Sequence, residues 1–340
     1  MAGLPLSFAG DAAGAGDGNL DLFLRQFSGE VITAFETANI MMPLHTVRTI
    51  SQGKSAQFPV IGDTTAEYHT PGASILDATP ASTRELQKFT HNERLIAIDD
   101  LLVSAAFIDS LDEARAHYDY RSEYSRKMGY ALAKRADIHL INTVYQASKA
   151  GATAPQGAGG GDIELSCADT VADTAVTSAV IVSALFEAAA AMDARDVPSE
   201  DRYVVLNPTL YYNLISNGTA GFGIATSVAN SDIGGTGFGS GLVPMIAGFE
   251  IYKSNNLPSG TAADDDGVRT PNVYDAPLTA EDAKGIIFHK SAVGTVKLRD
   301  LSMESEYQIE RQGTLMVAKY AMGHGVLRPE AAFLLTNSEA

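Results

Sequence analysis

Residues 109–149 read DSLDEARAHYDYRSEYSRKMGYALAKRADIHLINTVYQASK, and this stretch decides the fold. No proline interrupts it, and none follows until Pro155. Ser110 stands three residues before Glu113, the spacing of a capping box, in which hydroxyl and carboxylate satisfy free backbone donors at a helix start. Tyr120, Tyr124, Met128, Ala131, Ile138, Ile141 and Tyr145 recur at helical intervals, which predicts one shared face. About 38 residues at 1.5 Å each make a helix of roughly 57 Å, far longer than the globular average. Such a helix must rest on a broad sheet or span a flat, extended molecule. Gly129 costs about 1 kcal/mol inside it and marks a bend or a close-packed crossing.

Toward the N-terminus the pattern changes. The first 18 residues are mostly Gly, Ala and Asp and read as a mobile arm. Leu20, Phe23, Leu24 and Phe27, then Val31, Ala34 and Phe35, have helical spacing. The stretch RTISQGKSAQFPVIG, 48–62, reads as extended segments punctuated by Gly53 and Pro59. Residues 63–92 carry few apolar side chains, so they make a poor core and read as a projecting hairpin or loop.

Beyond the helix, GATAPQGAGGG (151–161) is a flexible connection. A second helix is predicted over about 178–195, with Val180, Leu185, Ala188 and Met192 inward. Tyr203–Leu206 reads as a buried strand stopped by Asn207-Pro208, and Thr209 as the start of a helix holding Leu210, Tyr211, Leu214 and Ile215. Eight glycines in 216–241 exclude a regular element there. GFEIYKS (248–254) returns to strand, and after Lys284 the pattern is strand-rich, with GIIFH, AVGTVKL and alternating Met303, Ser305, Tyr307 and Ile309.

Composition bounds the function. The 340-residue chain has 24 basic and 41 acidic residues, a net charge of −17, which argues against a sequence-wide polybasic nucleic-acid binder. Residues 151–285 hold 17 acids and 5 bases, so 5 − 17 = −12 of that charge lies in the middle of the chain. Cys167 is the sole cysteine, so no disulfide framework is implied. The N-terminus lacks the basic and apolar regions of a signal peptide, and no run of about 18 apolar residues predicts a spanning helix. The expectation is a soluble, acidic protein of a reducing compartment.

Catalytic and binding motifs fail one by one. Gly53-Lys54-Ser55 imitates the end of a phosphate loop, but Arg48 stands where its first glycine belongs. The glycines at 234, 235, 237, 239 and 241 lack dinucleotide-binding spacing and no apolar strand leads into them. The seven histidines, at 45, 69, 91, 117, 139, 289 and 324, form no zinc-ligand pair. Asp264–Asp266 lacks the alternating ligands of a calcium loop, and Cys167 has no basic neighbour to activate it. No catalytic, cofactor-binding or metal-binding residue is therefore assigned. Along the helix Arg121, Arg126, Lys127, Lys134 and Arg135 interleave with Asp119, Glu123 and Asp137, a pattern that serves ion pairs within the chain or between chains. Lys290, Lys297 and Arg299 on the later strands invite the same two readings.

Five stretches carry a family resemblance: GEVITAF (29–35), RTISQGKSAQFPVIG (48–62), HYDYRSEYSRKMGYALA (117–133), HKSAVGTVKLRDL (289–301) and AKYAMGHGVLRPEAA (318–332). The chain resembles the major capsid proteins of T-seven-like short-tailed phages, collinearly over roughly 20–150 and 284–335. VPSEDRYVVLNP and GFEIYKSNNLP carry a looser match between them, and residues 216–245 and the N-terminal arm depart most. The resemblance implies an α+β chain of the Hong Kong 97-type capsid fold. On that fold residues 1–55 correspond to the N-terminal arm and 56–100 to the E-loop. Residues 101–164 and 286–340 correspond to the peripheral domain, with a spine helix at about 110–149, and 165–285 to the axial domain.

The function implied is that of a shell subunit. It forms hexamers and pentamers of an icosahedral head, of triangulation number seven, around packaged double-stranded DNA. Implied partners are further copies of itself, a scaffolding protein, a portal protein and a minor capsid or decoration protein. Its place is the virion capsid, assembled in the host bacterial cytoplasm, with no membrane, no cofactor and no enzymatic activity. Phe58, Val60 and Tyr68 are the expected E-loop contacts, Arg48, Lys54 and Arg84 the expected interchain ion-pair residues, and Gly129 the expected hinge. Each of these contact residues also has an ordinary intrachain reading. A cellular encapsulin-like nanocompartment shell and, remotely, a nucleotide-using enzyme are the alternatives.

Overall fold

The computed structural model describes residues 39–62, 66, 68–69, 71–72, 91–115, 120–152, 158–165, 176–216, 245–257, 272, 274 and 284–337. Along the chain lie β1 (Thr46–Thr49), β2 (Ser55–Ile61), β3 (His91–Ala97) and β4 (Leu102–Asp109), then α1 (Ser110–Arg115) and α2 (Tyr120–Lys149). β5 (Gly161–Leu165), α3 (Ser178–Asp193), β6 (Arg202–Leu206), α4 (Pro208–Ser216) and β7 (Glu250–Lys253) follow. The chain closes with β8 (Gly285–His289), β9 (Val293–Gln308), β10 (Gly313–Val326) and β11 (Ala332–Asn337). Both helices and sheets contribute, as the α+β expectation requires.

The predicted long helix is present as α1 and α2, and residues 116–119 between them lie outside the described residues. Its start differs by one residue from the sequence reading. Leu111 N–H donates to Asp109 Oδ1 at 2.7 Å, so Asp109 is the cap and Ser110 the first helical residue. An aspartate caps as well as a serine and adds a favourable charge at the helix N-terminus.

The buried stripe of α2 also differs. Met128, Leu132, Ala136 and Leu140 point inward at four-residue steps, and Ile141, Val144 and Tyr145 continue the face. Tyr124 is exposed and so is Ala131. The aromatic and alanine positions had suggested a face turned by about one residue, and Leu132 with Leu140 corrects it.

α2 rests on both sheets. Its first half packs with Ile108, Met316, Ala318, Tyr320 and Met322 of the four-stranded sheet, ordered β1-β9-β10-β4. Its second half enters the main core around the five-stranded sheet, ordered β5-β11-β8-β6-β7. β6 and β8 are buried at every position, so both faces of that sheet are covered, with α2, α3 and α4 contributing to the surrounding core. This sheet draws β5 and β11 together with β6, β7 and β8, so it joins strands from before residue 165 and after residue 285.

Local choices match the elements. α4 begins at Pro208, one residue before the expected Thr209, because Asn207 Oδ1 accepts Thr209 N–H at 3.1 Å and proline suits the first helical turn. On α3 Ile181, Ala184, Leu185, Ala188 and Met192 are buried, whereas Val180 is half-buried. Ile309 leaves the predicted alternation for a short 3-10 turn at Ile309–Arg311 that joins β9 to β10. Lys290 likewise sits in the turn before β9 rather than on a strand, 3.7 Å from Asp201.

β2 and β3 pair antiparallel from Ser55↔Ala97 to Ile61↔His91 and form a separate two-stranded ribbon; most of 63–92, where a projecting hairpin or loop is expected, lies outside the described residues. Gly53, at φ +118°, makes the turn into it. A small apolar cluster packs beneath its root: Ala56 and Ile96 of the ribbon with Val296 and Leu327 of the body.

Candidate functional site

The candidate contact residues gather around the ribbon. Arg48, on β1, donates from Nη1 to the Gln57 carbonyl at 2.8 Å, and its guanidinium lies 5.6 Å from the centre of the Phe58 ring. Phe58 and Val60 are half-buried on one face of β2. Lys54 is exposed, while its carbonyl accepts Ile98 N–H at 2.8 Å and closes the ribbon root. Tyr68 is fully exposed, together with Ile61 and Leu95 of the ribbon. Arg84 lies outside the described residues, as do Cys167, Asp264–Asp266 and the glycines at 234–241. The structure thus brings Arg48 and Phe58 together and leaves Lys54 and Tyr68 apart from them.

Gly129 lies in continuous helix, and a Cβ there would meet nothing within 4 Å. Close packing is therefore not what this glycine supplies. Of the helix charges, Arg126 pairs with Glu123 at 2.7 Å within the helix. Asp137 does something else: it is buried, and its carboxylate accepts Ile40 N–H at 2.9 Å and Met41 N–H at 3.1 Å. It pins the chain before β1 to the long helix, where an ion pair had been the expectation. Burial pushes its pKa up to about 6, against the pull of the two N–H donors.

A chain of buried polar groups runs on from this anchor. His45 Nδ1 lies 2.8 Å from the Met41 carbonyl, and its Nε2 lies 2.5 Å from Thr295 Oγ1. The same hydroxyl is 2.8 Å from His324 Nδ1. Donor counting fixes the protons. A carbonyl only accepts, so His45 carries hydrogen on Nδ1 and, being neutral, accepts at Nε2 from the Thr295 hydroxyl. Thr295 then accepts from His324 Nδ1–H. Burial holds both imidazoles neutral, His45 down to about 4 and His324 well below the usual range.

The far end of the chain reaches the ribbon root. His324 N–H donates to Tyr274 Oη at 2.9 Å, and Tyr274 in turn donates a short hydrogen bond to Asp99 Oδ2. Asn272 Nδ2 donates to Asp99 Oδ1 at 2.7 Å and to the Ala97 carbonyl at 2.8 Å. His139 of α2 stacks on the Tyr274 ring, centroids 4.5 Å apart. Burial raises Asp99 to about 6, and burial with the adjacent Asp99 charge pushes the Tyr274 phenol well above its usual range. Six separated parts of the chain meet here: the residues before β1, the ribbon root, α2, Asn272 with Tyr274, β9 and β10.

In the sequence Asp137 stands out only as a charge of the long helix, and His45, His139 and His324 only as histidines without zinc-ligand spacing; Gly323 and Gly325 flank His324. A Cβ at Gly323 or Gly325 would collide with the Ala97 carbonyl or with Ile96, so both glycines exist to let the ribbon root lie on β10. Chemically the network has no exposed nucleophile and no open coordination position. Its groups orient backbone and hold segments together, which is structural work.

A long helix packed on two sheets, with a separate two-stranded ribbon, fits the Hong Kong 97-type capsid fold. The mature capsid protein of bacteriophage PhiM1 shares the fold at a TM-score of 0.70 and 18% identity, over 93% of this chain and 92% of that one. Residues 57–336 match the Gp10A-like major capsid protein family, and the chain belongs to it. It is 35% identical over 337 residues to the major capsid protein of Escherichia phage T7, covering 94% of this chain and 92% of that one. The capsid structure of Cyanophage P-SCSP1u is similar at 42% identity and a TM-score of 0.77, over 96% of each chain. The chain is thus a phage major capsid protein, a structural component of the head. Among the described residues no helix is long and apolar enough to cross a membrane.

Proposed function

We propose that this chain forms hexamers and pentamers that close into an icosahedral head of triangulation number seven. It assembles in the host bacterial cytoplasm around a scaffolding protein, joins a portal and a minor capsid or decoration protein, and encloses double-stranded DNA without reading its sequence. No catalysis is involved; related contacts are reused in slightly different environments.

The ribbon is the observation that carries this reading. Ile61 and Leu95 are each more than 60% exposed and Tyr68 wholly so, while the intrachain core beneath the ribbon root amounts to one small cluster. Such apolar surface gains stability when another chain covers it. On this reading residues 1–55 are the arm, 56–100 the E-loop, 101–164 and 286–340 the peripheral domain, and 165–285 the axial domain. Phe58, Val60 and Tyr68 make contacts between subunits, Arg48, Lys54 and Arg84 pair with neighbouring acids, and Gly129 is the point where the long helix bends. The acidity of 151–285 belongs to a surface that repels the genome and lets it slide during packaging.

Negative-stain microscopy of the purified chain, with and without its scaffolding protein, tests this. Closed shells of uniform diameter in the presence of scaffold are expected. Soluble monomers under every condition would overturn the reading.

A further inference from the structure

The ribbon root is held by two kinds of contact that respond differently to movement. The apolar cluster of Ala56, Ile96, Val296 and Leu327 is small and tolerates sliding. The polar clasp on residues 97–99 is directional. It consists of Asn272 on the Ala97 carbonyl and on Asp99, Tyr274 on Asp99, and Asp99 N–H on the Met322 carbonyl at 3.2 Å. Hydrogen bonds of this sort are lost within a short displacement, whereas an apolar contact fades gradually.

We propose that Asn272 and Tyr274 form a releasable latch that sets the direction in which the β2–β3 ribbon leaves the body. Closed, the latch aligns the ribbon root on β10 at Gly323. Open, it frees the root to pivot about Gly53 and residues 98–101, while the β2–β3 pairing itself stays intact. The two residues lie between β7 and β8 in the sequence, some 175 positions beyond Asp99. A shift of Asn272 and Tyr274 would therefore redirect the ribbon without touching it elsewhere.

The groups around the latch make both states accessible. Asp99 faces Tyr274 and Asn272 from one side, with Asp100 adjacent to it and Tyr320 of β10 near enough to feel its charge. His139 and His324 line the Tyr274 ring. Asp99 and Tyr274 are both held away from their ordinary titration ranges by burial, so hydration on opening offsets part of the cost of breaking their hydrogen bond.

Hydrogen exchange on the full-length unassembled chain tests the latch without reference to shell formation. The consequence for shells rests on the shell-subunit reading, but this measurement does not. In Tyr274→Phe the Asp99 bond and the bond from His324 N–H are gone and the ring remains. The Asp99 amide is expected to exchange at least tenfold faster, while that of Ile98, bonded to Lys54 within the ribbon, and those of Val204–Leu206 in the main core are unchanged. Asn272→Ala, which removes the other arm of the clasp and leaves the His324 bond in place, is expected to do the same and serves if Tyr274→Phe fails to fold. Unchanged exchange at Asp99 in both variants would overturn the proposal. So would an equal acceleration at Asp99 and at Val204–Leu206, because that is general destabilisation rather than release of a latch.

Discussion

Gly323 lies so close beneath Ala97 that a Cβ on the glycine would stand 1.9 Å from the Ala97 carbonyl oxygen and 2.9 Å from the Ile98 Cα. Both atoms belong to backbone, so neither can rotate aside. Gly323→Ala must push the ribbon root off β10 and break the Asp99 N–H bond to Met322. An overpacking cost of about 1–3 kcal/mol is expected, measured as a lowered urea midpoint, with the loss of exchange protection concentrated at residues 96–99.

Gly129 is the opposite case. An added Cβ meets nothing within 4 Å, and the residue sits inside a 30-residue helix. Gly129→Ala is expected to stabilise the unassembled chain by roughly 0.5–1 kcal/mol, the ordinary helix-propensity gain. If the helix must bend there in the shell, the same variant will assemble or expand poorly despite its higher thermal midpoint. Normal shells would remove Gly129 as the hinge.

The contrast between these glycines marks what sequence reading reaches. Hydrophobic period made the long helix legible, and turn residues made the extended stretch 48–62 and the Asn207-Pro208 helix start legible, because those signals are local. The inward stripe was displaced because Tyr124 and Ala131 fit the spacing yet face solvent, and only packing partners decide between neighbouring faces. The polar junction was out of reach for a different reason. His45, Asp99, Asp137, Tyr274, Thr295 and His324 have no periodicity, and tertiary structure alone brings them together. Even Asp137 reads as a surface ion-pair residue until the burial of its carboxylate under Ile40 and Met41 is seen.

The junction predicts a particular response to acid. His45, depressed from 6.5 to about 4, excludes in the fold a proton that the unfolded chain accepts. Its contribution is complete above pH 6.5 and is lost as pH falls toward 4, on the order of 3 kcal/mol in all. Asp137, raised from 3.8 to about 6, has the opposite sign: its contribution is present below pH 3.8 and is lost as pH rises through 6. Asp99 follows Asp137 in direction, and His324 follows His45. The two pairs of groups oppose one another in the wild type. Asp137→Asn removes one carboxylate, so its stability should fall between pH 6 and 4 more steeply than that of the wild type, by up to about 1.4 kcal/mol per pH unit. Urea unfolding at half-unit pH steps measures this; parallel profiles would show that Asp137 does not titrate in that window.

Arg202 is a buried cation whose counter-ion is exposed. Its side chain is 3% accessible, that of Asp193 66%, and the two lie 2.6 Å apart. The guanidinium also donates to the Val197 carbonyl at 2.6 Å and to the Pro198 carbonyl at 2.8 Å, which ties the end of α3 to β6. Removing the arginine lets Asp193 rehydrate and strands only two carbonyls, at about 1–3 kcal/mol. Removing the aspartate leaves the charge buried without its anion, at about 3–5 kcal/mol. Asp193→Ala is therefore expected to lower the urea midpoint more than Arg202→Met, although Asp193 is the more exposed of the two residues. The reverse order would mean that the two carbonyls, not the carboxylate, hold the guanidinium in place.

Arg48 separates an intrachain role from an interchain one. Within the chain it makes one hydrogen bond, to the Gln57 carbonyl, and lies over the Phe58 ring, all at an exposed position. Those contacts justify no more than about 1 kcal/mol. Arg48→Ala should therefore leave the unassembled chain's urea midpoint almost unchanged. Arg48→Lys keeps the charge but presents a flexible point charge in place of a planar donor that can stack on Phe58. If Arg48 pairs with an acid of a neighbouring subunit, shell yield at low salt will fall in Arg48→Ala and recover in part in Arg48→Lys, and the gap to the wild type will narrow as salt is raised, because screening weakens the Arg48 ion pair itself. Equal shell yields for all three chains at low and high salt would confine Arg48 to steadying its own ribbon through Gln57 and Phe58.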